Sequence, residues 1–219
     1  MKENLTEIVC ILDRSGSMHG LEKDTVGGCN GLLERQRKEE GKALFSLVLF
    51  SDEAEVLYDR VPLEEVRPLT EKEYRTGGCT ALYDAVGGTV RRMEMIYDRS
   101  LTEELPARTL CVITTDGEEN ASRFFGAEDV RRMIRRVREK YGWEFIFLGA
   151  NIDAAAEAER FGLPKERAVN YCCDERGTAL NYEVISEAVS CLRCGKPLET
   201  GWKRRIEEDH RRRGAGNKK

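Results

Sequence analysis

The amino-acid sequence predicts an α/β fold: a doubly wound, mostly parallel central sheet of about six strands, with one antiparallel edge strand and helices on both faces. Short apolar runs rich in branched residues alternate with longer segments whose apolar residues recur at helical spacing. Two of these runs are followed directly by an aspartate, Asp13 and Asp116. The carboxyl ends of parallel strands are where ligands bind in such folds, so a ligand site is expected at these two positions.

The first half of the chain begins with a buried strand at residues 8–12 and a helix within residues 20–39. Two strands follow, at residues 43–50 and 55–61. Only a short connection around Ser51 and Asp52 separates them, which indicates a hairpin, so one edge strand should run antiparallel. Residues 62–80 are irregular and end in a glycine-rich approach to Thr80.

The second half alternates helix and strand almost throughout. Helices are predicted at residues 82–97 and 128–141, from residue 152, and at 180–192; strands are predicted at 110–115, 144–148 and 168–171. This alternation favours crossover connections and a sheet covered on both faces.

Length and composition restrict the possible classes of protein. A chain of 219 residues with 40% hydrophobic and 35% charged residues is expected to form one soluble globular domain. No stretch approaches the roughly 18 apolar residues of a membrane span, and the amino terminus lacks the apolar core of a signal peptide. We therefore expect a cytoplasmic protein, and the net charge of −4 disfavours nucleic acid as its partner.

The charge is uneven along the chain and predicts a boundary near residue 195. Residues 196–219 carry nine Lys and Arg but four Asp and Glu, a net charge of +5. Because this segment has few apolar residues, it is expected to be a basic, flexible tail on a domain formed by residues 1–195.

The loop after the first strand has the side chains of a site for a hard cation. Asp13, Ser15 and Ser17 place one carboxylate and two hydroxyls within five residues. Magnesium prefers oxygen ligands in near-octahedral geometry and usually keeps several waters. Mg²⁺ is therefore the expected ion, with Mn²⁺ as a possible substitute.

Three separated motifs together resemble the metal-ion-dependent adhesion site (MIDAS) of von Willebrand factor type A (vWA) domains. They are Asp13-x-Ser15-x-Ser17, Thr80 in Gly-Gly-Cys-Thr-Ala-Leu-Tyr-Asp, and Asp116 in Thr-Thr-Asp-Gly-Glu-Glu-Asn. The resemblance covers residues 5–193 in element order and is greatest to the stand-alone bacterial members. It implies a Rossmann-like vWA fold and a complete set of metal-site residues: Asp13, Ser15, Ser17, Thr80 and Asp116. In the family the two serines bind the ion directly, whereas the threonine and second aspartate bind it directly or through water.

The resemblance also implies a function. A MIDAS module binds a protein partner whose Asp or Glu carboxylate completes the coordination of the ion, and it is not an enzyme. We expect the chain to act in this way as a monomer. His19, Glu118, Glu119 and Asn151 are expected to frame the open position, where the two glutamates either repel an acidic partner or point away from it.

A metal-dependent phosphoester hydrolase is the alternative from another class. A haloacid-dehalogenase-like phosphatase has an Asp at the same strand end, but it needs a second acid where this chain has Ser15. A hydrolytic triad needs a histidine base, and the chain offers only His19 and His210. Turnover of phosphoesters that is lost in Asp13→Ala would favour the enzyme.

The eight cysteines are expected to be reduced in the cytoplasm. Cys10 and Cys111 lie in apolar runs and are interpreted as core residues. Cys172 and Cys173, with Cys191 and Cys194, contain only one Cys-x-x-Cys pair, so a four-thiolate zinc site is a minority interpretation.

Overall fold

A computed structural model describes residues 1–214 of the chain. The strands in this part are β1 (Lys2–Asp13), β2 (Lys42–Phe50), β3 (Ala54–Pro62), β4 (Pro106–Thr115), β5 (Glu144–Gly149) and β6 (Ala168–Asn170). The helices are α1 (Glu22–Arg37), α2 (Leu82–Arg99), α3 (Ala127–Tyr141), α4 (Ala154–Arg160), α5 (Glu175–Arg193) and α6 (Arg204–Gly214). The predicted order of elements up to α5 is confirmed, and β1 extends further towards the amino terminus than predicted.

The strands form one sheet in the order β3-β2-β1-β4-β5-β6. All neighbouring pairs are parallel except β2 and β3, so the predicted antiparallel edge strand is β3. From β1 the chain first builds towards β3 and then returns to the other side of β1 with β4. The strand order therefore reverses between β1 and β4, the position at which open α/β sheets bind ligands.

Both faces of the sheet are buried, because successive side chains of a strand point to opposite sides. Ile8, Cys10 and Leu12 pack in one cluster with residues of α1, α5 and α6. Val9 and Ile11 pack in the other cluster with residues of α2, α3 and α4. None of the helices in the described part of the chain is long and apolar enough to cross a membrane.

Helix α3 illustrates how local sequence sets the limits of an element. Asp129 in its first turn accepts a hydrogen bond from the Gly126 N–H (3.0 Å), which satisfies a backbone donor at the start of the helix. Gly142 ends it with a φ of 69°, a left-handed conformation that glycine adopts without steric cost. These signals place β5 immediately after the helix.

The predicted flexible tail is wrong for residues 196–214. Leu198 and Ile206 are buried in the core beside α5, and Ile206 is only 2% exposed. The Trp202 indole N–H donates to the Glu166 carbonyl (2.9 Å), which attaches the segment to the turn before β6. A few apolar side chains suffice because α5 and β6 supply the rest of the apolar surface. Residues 215–219 of the predicted tail lie outside the described residues.

Candidate metal centre

The first part of the centre is the loop that leaves β1 at Asp13. The Arg14 N–H donates to the Phe50 carbonyl (2.8 Å), so the chain stays attached to β2 as it leaves the sheet. The Ser15 N–H then donates to Asp13 Oδ1 (2.7 Å). The Tyr74 hydroxyl donates to the Asp13 carbonyl, which fixes the backbone of the aspartate itself. Asp13 is consequently buried and held in one orientation.

A chain of hydrogen bonds joins this loop to the end of β4. The hydroxyl oxygens of Ser15 and Ser17 lie 3.0 Å apart. The Ser17 hydroxyl donates to Asp116 Oδ1 (2.5 Å), across 99 positions of sequence. Four of the five predicted site residues therefore converge at the carboxyl edge of β1 and β4.

Thr80 reaches the centre on a third loop. The Gly77 N–H donates to the Arg14 carbonyl (2.9 Å), and the Gly16 N–H donates to the Gly78 carbonyl (3.0 Å). These bonds attach the loop before Thr80 directly to the loop after Asp13.

Gly117 shows where the Thr80 hydroxyl lies. A Cβ added to Gly117 would lie 3.3 Å from Thr80 Oγ1 and 3.6 Å from Ser17 Oγ. Both hydroxyl oxygens therefore approach the same side of Gly117, the residue after Asp116. All five predicted side chains are brought to one region, although Thr80 is joined to it through backbone bonds and Gly117 rather than by a side-chain hydrogen bond.

The two carboxyl groups are buried without a neutralising cation. Asp13 is 1% exposed and Asp116 is 3% exposed. Neither forms an ion pair with a Lys or Arg among residues 1–214, and Arg14 instead pairs with Glu55 (2.8 Å). Two aspartates and three hydroxyls offer only hard oxygen donors, so the donor set fits Mg²⁺ or Mn²⁺.

Burial raises the pKa of Asp13 above its ordinary value of 3.8, and the nearby charge of Asp116 raises it further. Hydrogen bonds from Thr115 and Ser15 act in the opposite direction. Burial likewise raises the pKa of Asp116, against hydrogen bonds from Ser17 and Cys173. The folded protein therefore resists charging this site in the absence of a cation.

His19 does not form the Ser–His contact that a hydrolytic triad needs. Its ring is exposed, and Nδ1 lies 3.2 Å from Glu22 Oε1. The Ser17 hydroxyl donates to the Asp116 carboxylate and not to the His19 imidazole, so the serine–histidine pair of such a triad is not formed by these two residues. The interpretation of His19 as a rim residue is consistent with this arrangement.

The two glutamates after Asp116 have different surroundings. The Glu119 carboxylate accepts hydrogen bonds from the Tyr83, Ala121 and Ser122 N–H groups (2.9, 2.8 and 2.7 Å). It therefore points towards the start of α2, where a negative charge is favoured, and its oxygens are engaged in these bonds. Glu118 is exposed. It lines a cavity of about 930 Å³ beside the centre together with Asn151.

Three polar residues at the centre were not found from the sequence. The Thr115 hydroxyl donates to Asp13 Oδ2 (2.6 Å), and the Cys173 thiol lies 3.7 Å from Asp116 Oδ2. Asn120 Oδ1 accepts from the Thr80 N–H (2.9 Å). The sequence did contain a signal for Thr115, because β1 and β4 end together and their parallel register places Thr115 beside Asp13. The positions of Cys173 and Asn120 depend on long-range contacts.

The zinc interpretation is wrong for the described part of the chain. Cys172 and Cys173 precede α5 whereas Cys191 and Cys194 lie at its far end, so the two pairs are separated by most of a 19-residue helix, about 28 Å. No three His, Cys, Asp or Glu side chains within residues 1–214 are grouped so that they could hold a metal ion. Cys10 and Cys111 are fully buried, which confirms them as core residues.

No protein-family profile and no curated protein sequence matches the chain. Three solved structures resemble its fold. They are proximal thread matrix protein 1 from the mussel byssus (TM-score 0.58, 16% identity, 87% of this chain and 46% of that one), the ArnB paralog VWA2 from Sulfolobus acidocaldarius (0.55, 16%, 86% and 45%), and von Willebrand factor type A from Catenulispora acidiphila (0.55, 16%, 86% and 43%).

These likenesses confirm the predicted vWA-like α/β fold. At 16% identity they show the fold alone, and the chain spans less than half the length of each of these proteins. One structure of the mussel protein is described as having a zinc-occupied MIDAS motif.

Proposed function

We propose that this chain is a metal-dependent protein-binding module that engages an acidic residue of its partner. The observation that carries the proposal is the buried pair of Asp13 and Asp116, which no described cation neutralises and which hydroxyl groups surround at the reversal of strand order. Buried carboxylates without a positively charged partner are costly even when they accept hydrogen bonds, and a divalent cation would offset that cost.

The five residues contribute in different ways. Both oxygens of Asp13 already accept hydrogen bonds, so Asp13 supplies negative charge and orients the Ser15 loop. Ser15 and Thr80 supply buried hydroxyl oxygens, whereas Ser17 is exposed and lies where a partner can approach. Asp116 is the second charge. A bound Mg²⁺ would supply an exchangeable position for a carboxylate of the partner.

The proposed module is not an enzyme, and it acts as a monomer in the bacterial cytoplasm. Mg²⁺ is the proposed ion, with Mn²⁺ as a substitute. The zinc described for the mussel protein supports a divalent ion at this place in the fold without selecting among metals. Incubation of the protein with a generic phosphoester and Mn²⁺ tests the hydrolase alternative. Turnover by the wild type that is lost in Asp13→Asn would favour the hydrolase.

The partner experiment is an affinity capture from bacterial extract in Mg²⁺, followed by elution with EDTA and mass spectrometry. Wild-type protein is compared with Asp13→Asn and with Glu118→Gln, which removes an exposed carboxylate from the same edge of the sheet. We expect a protein that EDTA releases from the wild type and Glu118→Gln and that Asp13→Asn fails to retain. Equal capture by all three proteins in EDTA would contradict the proposal.

A further inference from the structure

The loop between β4 and α3 carries the most exposed large apolar side chain in the described part of the chain. Phe124 is 83% exposed, against 46% for Met95 on α2. Single exposed apolar residues are ordinary, so exposure alone does not assign a role to Phe124. Phe124 differs from the other exposed apolar residues in its position near the metal centre and in the hydrogen bonds that hold its backbone.

The backbone of this loop is held firmly although its side chain is free. Asp84 Oδ1 accepts hydrogen bonds from the Phe124 and Phe125 N–H groups (2.9 and 2.8 Å), and Oδ2 accepts from the Arg123 N–H (2.7 Å). The Ser122 hydroxyl accepts from the Asp84 N–H (3.0 Å). One carboxylate thus fixes three successive residues against the start of α2.

The neighbouring residue, Phe125, already covers the apolar surface of α2 at this loop. Phe125 packs so closely on α2 that a Cβ added to Gly87 would lie 2.7 Å from its ring. Phe124 is turned in the other direction, into solvent. An aromatic ring held by a rigid backbone loses little conformational entropy on binding, which is the property of an interface anchor.

The same loop is attached to the candidate metal centre. The Asn120 N–H donates to the Thr80 carbonyl (3.0 Å), and Asn120 Oδ1 accepts from the Thr80 N–H (2.9 Å). Phe124 is four positions after Asn120, so their Cα atoms are at most about 14 Å apart. A single segment of a partner can therefore cover both the centre and the ring.

The charge beside the ring specifies the chemistry of that segment. Arg123 is exposed and forms no ion pair within the described residues. The Asp84 carboxylate accepts backbone N–H groups and forms no ion pair with the Arg123 guanidinium, which is therefore available to a carboxylate of a partner. A cation next to an exposed aromatic ring is complementary to a segment that combines acidic and apolar side chains.

We propose that Phe124 is the apolar anchor of the partner-binding surface, and that the partner presents an acidic segment with an apolar side chain close to the carboxylate that reaches the metal. This inference rests on the proposed function, because it assigns the second contact of the same surface. It requires the ring and the metal centre to be engaged together.

A selection from random peptides tests it. A phage-displayed peptide library is bound to wild-type protein in Mg²⁺, and the peptides that EDTA releases are synthesised. Their dissociation constants are measured by fluorescence polarisation on the wild type, Phe124→Ala and Met95→Ala, which truncates an exposed apolar residue on α2. We expect Phe124→Ala to weaken binding about tenfold or more and Met95→Ala to leave it unchanged. The peptides should contain an Asp or Glu and an apolar residue at a constant spacing.

A double-mutant cycle connects the two side chains directly. Replacing the apolar residue of the peptide by alanine should weaken binding to the wild type but cause little further loss on Phe124→Ala. The Mg²⁺-dependent rise in melting temperature should be the same in Phe124→Ala and the wild type, which separates the anchor from the metal site.

The other outcomes distinguish the two proposals. Peptides that EDTA releases and that bind Phe124→Ala as tightly as the wild type would overturn the anchor and leave the proposed function standing. Peptides that need Phe124 but ignore EDTA would overturn the coupling to the metal and contradict the proposed function. Recovery of no peptide on the wild type would overturn the inference that the partner presents a segment.

Discussion

Replacing Asp13 by asparagine isolates the charge of the centre from its shape. Asp13 Oδ1 accepts from the Ser15 N–H (2.7 Å), and Oδ2 accepts from the Thr115 hydroxyl (2.6 Å). An asparagine keeps both contacts if its amide oxygen faces Ser15 and its NH₂ donates to Thr115. The Thr115 hydroxyl can turn for this purpose because the Gly117 carbonyl, 3.1 Å away, accepts its proton. We therefore expect Asp13→Asn to fold.

Without metal, this variant should be more stable than the wild type at neutral pH. The pKa of Asp13 is raised in the folded protein, first by burial and also by Asp116. A carboxyl whose folded pKa exceeds its unfolded pKa lowers stability above that range, by about 1.4 kcal/mol for each unit of difference. The asparagine carries no charge and avoids this cost.

With metal, the order should reverse. A ligand at 100 times its dissociation constant stabilises the folded state by about 2.7 kcal/mol. For a chain of this size, that corresponds to a rise in melting temperature of roughly 5 to 11 °C. Asp13→Asn should lose most of the rise, because half of the negative charge at the centre has been removed.

The measurement is thermal unfolding followed by circular dichroism, in EDTA and over a Mg²⁺ series, for the wild type, Asp13→Asn and Glu118→Gln. The last variant removes an exposed carboxylate near the same loops and should respond to Mg²⁺ as the wild type does. An equal Mg²⁺-dependent rise in Asp13→Asn would refute the assignment of the centre. A lower stability of Asp13→Asn in EDTA would refute the electrostatic argument alone.

Three further predictions concern pH, helix packing and the carboxyl-terminal segment. In EDTA the contribution of Asp116 to the free energy of unfolding should decrease as the pH rises above 3.8, because burial raises its pKa in the folded protein. Urea titrations should therefore show Asp116→Asn gaining stability relative to the wild type as the pH rises, and an identical pH dependence of the two proteins would be evidence against this. Gly28→Ala should lower the free energy of unfolding by about 1–3 kcal/mol in chemical denaturation, because the added Cβ would lie 2.0 Å from the Tyr182 ring. Gly27→Ala is the control, because a Cβ there has nothing within 4 Å, and equal effects of the two changes would contradict the packing of Tyr182 on Gly28. Ile206→Ala should cost about 2–5 kcal/mol, whereas an unchanged denaturation midpoint would mean that the segment after residue 195 does not support the domain.

The sequence could predict the parts of the site that depend on local patterns. Asp13 and Asp116 each follow a buried apolar run, and parallel strands bring their carboxyl ends to one edge of a sheet. Ser15 and Ser17 belong to the loop after Asp13 and are placed with it. The placement of these four residues needed only strand periodicity and the parallel arrangement of β1 and β4.

Other features depended on contacts between distant segments. The direction of Glu119 depends on the start of α2, more than thirty positions earlier in the chain, where the Tyr83 N–H donates a hydrogen bond to the Glu119 carboxylate. Thr80 approaches the centre because its loop is hydrogen-bonded to the loop after Asp13. Composition predicted a flexible segment around Ile206, and that prediction was wrong because Ile206 is buried in the core. A single apolar residue among many charged ones is buried only when another part of the fold offers it an apolar surface.

The sequence by itself therefore determined the order of elements, the antiparallel edge and the chemical type of the donor groups, because periodicity and turn residues act over a few positions. Only the tertiary structure decided which way each loop side chain faces: Glu119 towards α2, Phe125 onto Gly87, and Phe124 into solvent. The physical reason is that the direction of a side chain depends on the free energy of its contacts, and those contacts come from segments far away in the chain.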